Sequence, residues 1–384
     1  MTINQSLRAL WLASCALTAS AAHAEIILSA NDAHSVNVNG VTLTPKDAPP
    51  DTLSVIDMGQ NPPKVVATVN APTSVAGPPM AVALSHDESF AIVSSANKAD
   101  PANPGKAIGN DEVSVIDLKT SPPKVIQTTH AGVGAAGIAI SPDRKLVLVA
   151  NRAAGTVSVF HLDGKTLQPG ATLDFGGRAS GPCGVVFTKD GKTALLTRDD
   201  NMVSVLHIDG DRVTVDPLSI STGDHPYTID VTRDGALAAV SNMGRPGAED
   251  GTVSLIDLTQ TPYRVIEEAT VAAAPEGLGF SADGKYLAVA SQDNSNKPPD
   301  APRYHDHGVL RVFAVNNKKL TPVAEAPVGR WSQGLVFSRD GKKILVQNMV
   351  ERNIMVFGFD GAKLTAEAPL PVNGGAAAIA TASR

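Results

Sequence analysis

The stretch SPDRKLVLVANRAAGTVSVF, residues 141–160, carries the plan of the chain. Ser141-Pro142-Asp143 reads as a tight turn, because proline pre-sets the backbone and the aspartate side chain can bond the backbone two residues on. Residues 146–150 form an aliphatic, β-branched run that ends at Asn151, and residues 156–161 form a second. Working outward, residues 137–140 are a short apolar strand ahead of the turn, and residues 171–175 a fourth strand beyond. Short runs of this kind, split by Gly, Pro, Asn and Asp, are the strands of a meander. No amphipathic helical period follows residue 24.

The unit recurs. Its turn aspartate returns at Asp87, Asp143, Asp190, Asp234, Asp283 and Asp340, at intervals of 44 to 57 residues. A second motif follows each turn: SVID at 54–57 and 114–117, SVFH at 158–161, SVLH at 204–207, SLID at 254–257, RVFA at 311–314 and MVFG at 355–358. Four antiparallel strands per interval describe the blades of a β-propeller. The second motif occurs once more often than the first, and the ends of the chain explain why. Residues 25–30, 52–57 and 64–69 match strands two, three and four of a blade without its first strand. Residues 376–381 resemble a first strand with nothing after it. The expected fold is therefore all-β: one seven-bladed propeller over residues 25–384, closed by pairing the C-terminal strand with the N-terminal blade. Closure also hides two sheet edges.

The wording of residues 141–160 resembles the YVTN type of propeller repeat, in which a Ser-Pro-Asp-Gly turn leads to a Val-x-Asn strand end and then Thr-Val-Ser-Val-Ile-Asp. Seven such blades resemble the lactonase-like propeller superfamily, which includes 6-phosphogluconolactonase-type hydrolases and fungal muconate cycloisomerases. The resemblance implies a lactonase-like hydrolase or cycloisomerase working through His, Glu and Arg near the central channel. It carries no individual residue over.

Residues 1–24 read as a secretory signal. Arg8 is their single charge, an apolar stretch runs from residue 9 to 17, and Ala22-His23-Ala24 offers a cleavage site before Glu25. The apolar stretch is shorter than the roughly 20 residues a membrane span needs. Leu12-Ala13-Ser14-Cys15 offers the alternative of a lipidated Cys15. The expectation is a periplasmic or secreted protein without a transmembrane span. Cys183 is then the sole cysteine, which leaves no intramolecular disulfide, and no Cys-x-x-Cys-His is present for covalent haem. The chain carries a formal net charge of −6 with its basic residues scattered, so nucleic acid is not an expected partner. A small-molecule ligand is expected, with a protein partner as the alternative; no cofactor or metal is called for.

Four loops between strands two and three are long, at residues 31–51, 98–111, 243–251 and 293–308, and all belong to one face of the ring. Long loops on one face of a rigid scaffold mark a binding surface. Columns of the repeat sharpen this. Seven residues before each turn aspartate stand Met80, Ala136, Cys183, Tyr227, Glu276 and Gln333, where the innermost strands open at the channel mouth. The next column is nearly uniform: Ala81, Gly137, Gly184, Thr228, Gly277 and Gly334. Asp224 and Arg330 stand ten back, His225 and Trp331 nine back. The polar departures gather in three consecutive blades.

Glu276 and His225 are the candidates for proton transfer, since a carboxyl desolvated at a channel mouth moves towards acid–base use. Arg330 and Arg303 are candidates to hold an anionic group, with Asp224, Tyr227, Trp331 and Gln333 around them. Tyr304, His305 and His307, beside Arg303 in the densest polar cluster, read as a lid; a His-x-His pair with no third ligand at fixed spacing argues against a metal. The structural alternatives are plain: His225 on a neighbouring carbonyl, Arg330 paired with Glu276 or Asp224, Cys183 as a small buried residue, and Asn97, Asn151, Asn242 and Asn348 as strand-end caps. His34 and Arg245 lie in other long loops. Two readings follow. One is a metal-independent lactonase or isomerase acting on a small oxygenated acid. The other is a non-catalytic scaffold that binds through its long loops.

Overall fold

The computed structural model describes residues 25–245 and 250–382. The signal reading of residues 1–24, and the lipidation alternative at Cys15, lie outside the described residues. Seven antiparallel sheets are arranged as blades, each with its first strand innermost. Blade three, the unit read first, comprises Ala135–Ile140, Leu146–Asn151, Thr156–Asp163 and Thr166–Asp174. Its outer strand is longer than expected because a bulge between Ser158 and Phe160 lets the pairing continue to Asp163 and Thr166. The inner strands of the following blades are Pro182–Phe187, Pro226–Val231, Pro275–Phe280 and Ser332–Phe337. In blade seven the outer strand is split into Leu364–Ala366 and Leu370–Pro371, an edge interrupted by prolines.

The ring closes as the sequence requires. Gly375–Ala380 pairs antiparallel with Ile26–Asp32, placing Ala380 opposite Leu28 and Ala378 opposite Ala30. Ile26–Asp32 pairs in turn with Thr52–Asp57. Fully buried phenylalanines, among them Phe90, Phe160, Phe280, Phe313, Phe337 and Phe357, fill the spaces between sheets.

The repeated turn is a hydrogen-bonded device. The hydroxyls of Ser85, Ser141, Thr188, Thr232, Ser281 and Ser338 each donate to the following turn aspartate, at 2.6 to 2.8 Å. Those aspartates also accept backbone N–H groups two residues on. The uniform column has an equally simple cause. A Cβ on Gly137 would lie 2.2 Å from the Cys183 carbonyl oxygen, one on Gly184 2.5 Å from that of Tyr227, and one on Gly277 2.3 Å from that of Gln333. Neighbouring inner strands crowd at the axis, and glycine is what lets them approach.

Asn151, Asn242 and Asn348 cap strand ends, each amide donating to side chains of the next strand. Asn97 does not share that position. It opens the small hairpin Asn97–Ala99 with Ala107–Gly109, inside the second long loop. The first long loop holds a similar hairpin, Val36–Val38 with Val41–Leu43. Its tip reaches across blade seven: Asn37 donates to the Asn296 carbonyl at 3.0 Å in the loop of blade six, and Gly40 lies against Lys297 and Pro298.

Candidate site at the channel mouth

In blades three to seven the chain enters its inner strand through a left-handed residue. In blades three and four that residue is Gly134 (φ +82°) and Gly181 (φ +43°); in blades five, six and seven it is His225 (φ +58°), Ala274 (φ +51°) and Trp331 (φ +50°). A side chain in this conformation is strained, and such residues concentrate at functional sites. The turn places the His225 ring inward, edge-on to Tyr227 with centroids 5.4 Å apart.

His225 Nε2 stands 3.1 Å from Asp199 Oδ1 and 3.2 Å from Arg152 Nη2. Arg152 grips the same carboxylate, Nε to Oδ2 at 2.9 Å and Nη2 to Oδ1 at 3.2 Å, with its guanidinium over the Tyr227 ring. None of these contacts uses Arg152 Nη1. The Cys183 thiol donates to Asp199 at 3.2 Å. Burial alone would raise Asp199, but His225, Arg152 and Cys183 hold its carboxyl down at about 2, so it is a fixed negative charge. Burial pushes the Cys183 thiol and the Tyr227 phenol well up, so both stay protonated.

Glu276 is buried at the same mouth. Gln292 donates to its Oε1 at 2.6 Å, while its Oε2 has no hydrogen-bond partner. Burial pushes this carboxyl up to about 8, against the opposing pull of the Gln292 and Gln333 amides and of the Arg152 charge. Gln333 is fully buried, yet neither its Nε2 nor its Oε1 completes a hydrogen bond of ordinary geometry. Buried polar atoms are rarely left this way in a folded protein.

The structure thus gathers His225, Tyr227, Glu276 and Gln333 with Arg152, Cys183, Asp199 and Gln292. Other candidates stand apart. Arg330 pairs with Glu351, Nε to Oε1 at 2.9 Å, rather than with Glu276 or Asp224, and Tyr304 lies beside it. Asp224 accepts from Asn201 and Arg245, both at 3.0 Å. His305 faces Asp293 at 2.9 Å and His307 faces Asp306 at 2.7 Å; Arg303 is exposed in the same loop. Trp331 packs with Val75, Met349 and Ala377, giving an apolar patch near the mouth.

Arg152 and Asp199 were missed by the sequence reading, yet a column holds them. Nine residues after each turn aspartate stand Ala96, Arg152, Asp199, Met243, Gln292 and Met349, with Asp32 as the equivalent in blade one. This position leaves strand two at the mouth, and it is as heterogeneous as the column that exposed Glu276.

His34, with Asp32 and Asp51, has ligand atoms close enough to hold a metal. The geometry reads more simply as an imidazolium. Nδ1 lies 2.9 Å from Asp51 Oδ1 and 3.1 Å from Asp32 Oδ1, and Nε2 lies 3.0 Å from Asn97 Oδ1. Burial pulls the ring down, but the two carboxylates and the amide push it up to about 9. Both aspartates are occupied by backbone N–H groups as well. The triad ties the first long loop to the second.

The buried Glu276 carboxyl and the Arg152–Asp199–His225 cluster thus gather where the inner strands open on one face of the ring. Residues 110–222 match the family described as "Lactonase, 7-bladed beta-propeller". Similar solved structures include a provisionally assigned 6-phosphogluconolactonase from Bacteroides fragilis (17% identity, covering 95% of this chain and 99% of that one, TM-score 0.72). Another is the periplasmic gluconolactonase of Pseudomonas aeruginosa (18%, 94% and 99%, 0.67). A chain of Kuenenia stuttgartiensis hydrazine synthase is also similar (18%, 81% and 91%, 0.62). No curated protein matches the chain. The chain is a seven-bladed β-propeller, and residues 110–222 of it match that lactonase family. No helix among the described residues is long and apolar enough to cross a membrane.

Proposed function

We propose that the chain is an exported, metal-independent lactonase acting on a small oxygenated lactone at the channel mouth. The observation that carries this reading is the set of buried polar atoms without a hydrogen bond of ordinary geometry, Glu276 Oε2 and the Gln333 amide, within the field of the Arg152 charge. Such atoms suit a guest with several oxygens. Arg152, whose charge is fixed by Asp199, offers Nη1 to the carbonyl oxygen, and the neutral Tyr227 phenol lies under the same guanidinium. Water adds to the carbonyl carbon as the Glu276 carboxylate takes its proton. The tetrahedral oxyanion collapses, the bond to the ring oxygen breaks, and Glu276 returns the proton to that oxygen, giving a hydroxy acid. A base of this kind works best when its pKa lies near the working pH, as burial arranges for Glu276.

The test is turnover on a panel of five- and six-membered lactones by Glu276→Gln and the parent protein, with kcat/KM followed against pH. Loss of a proton acceptor at this position costs roughly 100-fold or more, and the parent's rate rises with pH through about 8. An unchanged rate in the variant refutes the assignment. A parent that binds lactones without turning any over supports the alternative, a binding scaffold. The loop hairpins favour that second reading by exposing Val38, Val41, Leu43 and Ile108, 40 to 52% accessible. For export, the mature chain is expected to begin at Glu25; N-terminal sequencing that finds a blocked Cys15 overturns this.

A further inference from the structure

Below the mouth the axis is interrupted. The inner strand of blade two is short, Val82–Leu84, and the residues before it lie across the channel. Met80 Sδ reaches to 2.9 Å from the Cβ position of Gly184 in blade four, and Pro79 to 3.0 Å from that of Gly334 in blade seven. Beneath this floor lies a cavity of about 240 Å3, open on the face opposite the long loops. Ala83, Ala139, Val186, Val336 and Ile379 give its wall an aliphatic part, with Thr228, Thr232 and Thr381 among the rest.

Three charged side chains line it: Asp230, Lys189 and Arg233. The Asp230 carboxylate lies against the wall, accepting from Val231 N at 2.9 Å and Phe280 N at 2.8 Å. Lys189 and Arg233 are exposed and occupy the same turn position in adjacent blades, one residue before the turn aspartate. The aspartates beside them, Asp190 and Asp234, fold back onto the Thr188 and Thr232 hydroxyls at 2.7 and 2.6 Å. The opening of the cavity therefore carries two cations, of which Lys189 also lies within the field of Asp234.

We propose that this lower cavity is a second binding site, for a free straight-chain alkanoate. The chain enters the cavity and the carboxylate rests between Lys189 and Arg233. At about 30 Å3 per water-sized heavy atom, the cavity holds roughly eight, the size of hexanoate. The site is separate from the catalytic proposal, because Met80 and Pro79 divide the two compartments.

The intact protein is titrated with butanoate, hexanoate, octanoate, hexanol and hexylammonium by calorimetry, with backbone NMR locating the site. Each added methylene tightens binding about fourfold until the cavity is full. Lys189→Gln with Arg233→Gln weakens hexanoate about tenfold and leaves hexanol unchanged; both side chains are exposed, so the fold is not at risk. Ala139→Phe fills the cavity and abolishes binding, whereas Glu276→Gln binds hexanoate as the parent does. Affinity independent of chain length, hexylammonium binding as tightly as hexanoate, or hexanoate insensitive to the double substitution overturns the proposal.

Discussion

Replacing Glu276 by Gln changes the pH dependence of stability in a direction the structure fixes. The carboxyl is raised from 4.5 to about 8 in the folded chain. A group raised in this way holds its proton longer when folded than when unfolded. Stability is therefore greatest at low pH and is lost as pH rises from the lower value to the higher. At about 1.4 kcal/mol per pH unit, the loss between pH 5 and 7.5 is on the order of 3 kcal/mol. Asp32 and His34 are also raised and act in the same direction, but they are present in both proteins and cancel in the comparison. The glutamine keeps the size and an acceptor for Gln292 while removing the ionisation. Urea unfolding across this range, read from Trp331, the one tryptophan beyond residue 24, gives the two curves. They should meet near pH 5 and separate by about 3 kcal/mol at pH 7.5, with the variant more stable. Parallel curves would mean that Glu276 ionises as freely in the folded protein as in the unfolded one, and the buried-carboxyl argument would fail.

His225→Gly should leave the melting temperature within a few degrees, because relief of the left-handed backbone, about 1 kcal/mol, offsets the flexibility glycine adds; lactone turnover should fall, because Asp199 and Arg152 lose the ring that holds them. A variant that keeps its rate would make His225 a structural residue. Asp199→Asn should lower turnover at least tenfold, since Arg152 and His225 lose their shared anchor, and a kinetic comparison with Arg152→Lys should show similar losses. Deleting the chain after Gly374 should abolish cooperative unfolding, measured by calorimetry, because the edge of Ile26–Asp32 is left open.

The fold was legible because each blade repeats the same turn, strand end and strand. The unequal motif counts pointed to the shared blade, and Ala380 opposite Leu28 confirms the pairing they implied. The bulge at Ser158 and the hairpins in the long loops were not legible, because they depend on local register and on loop-to-loop contact rather than on the repeat. For the candidate site, the column before the turn pointed to Tyr227, Glu276 and Gln333, which lie together in the fold. Arg152 and Asp199 lay in the column after it, where strand two leaves the sheet. Arg330 illustrates the limit of column reading. It stands out as a polar departure, but only three dimensions reveal that Glu351 in its own blade already claims it.

The strand that completes blade one comes from the opposite end of the chain. Contacts between segments so distant in sequence form slowly, because a large loop must be closed before they yield any gain. As the polypeptide emerges from a ribosome, Ile26–Asp32 must wait for its partner until Gly375–Ala380 has been delivered. Until then the arc stays open, its first sheet edge unprotected and prone to pairing with other chains. Holding that edge is a task suited to a chaperone, and the final strand acts as the clasp that ends its need.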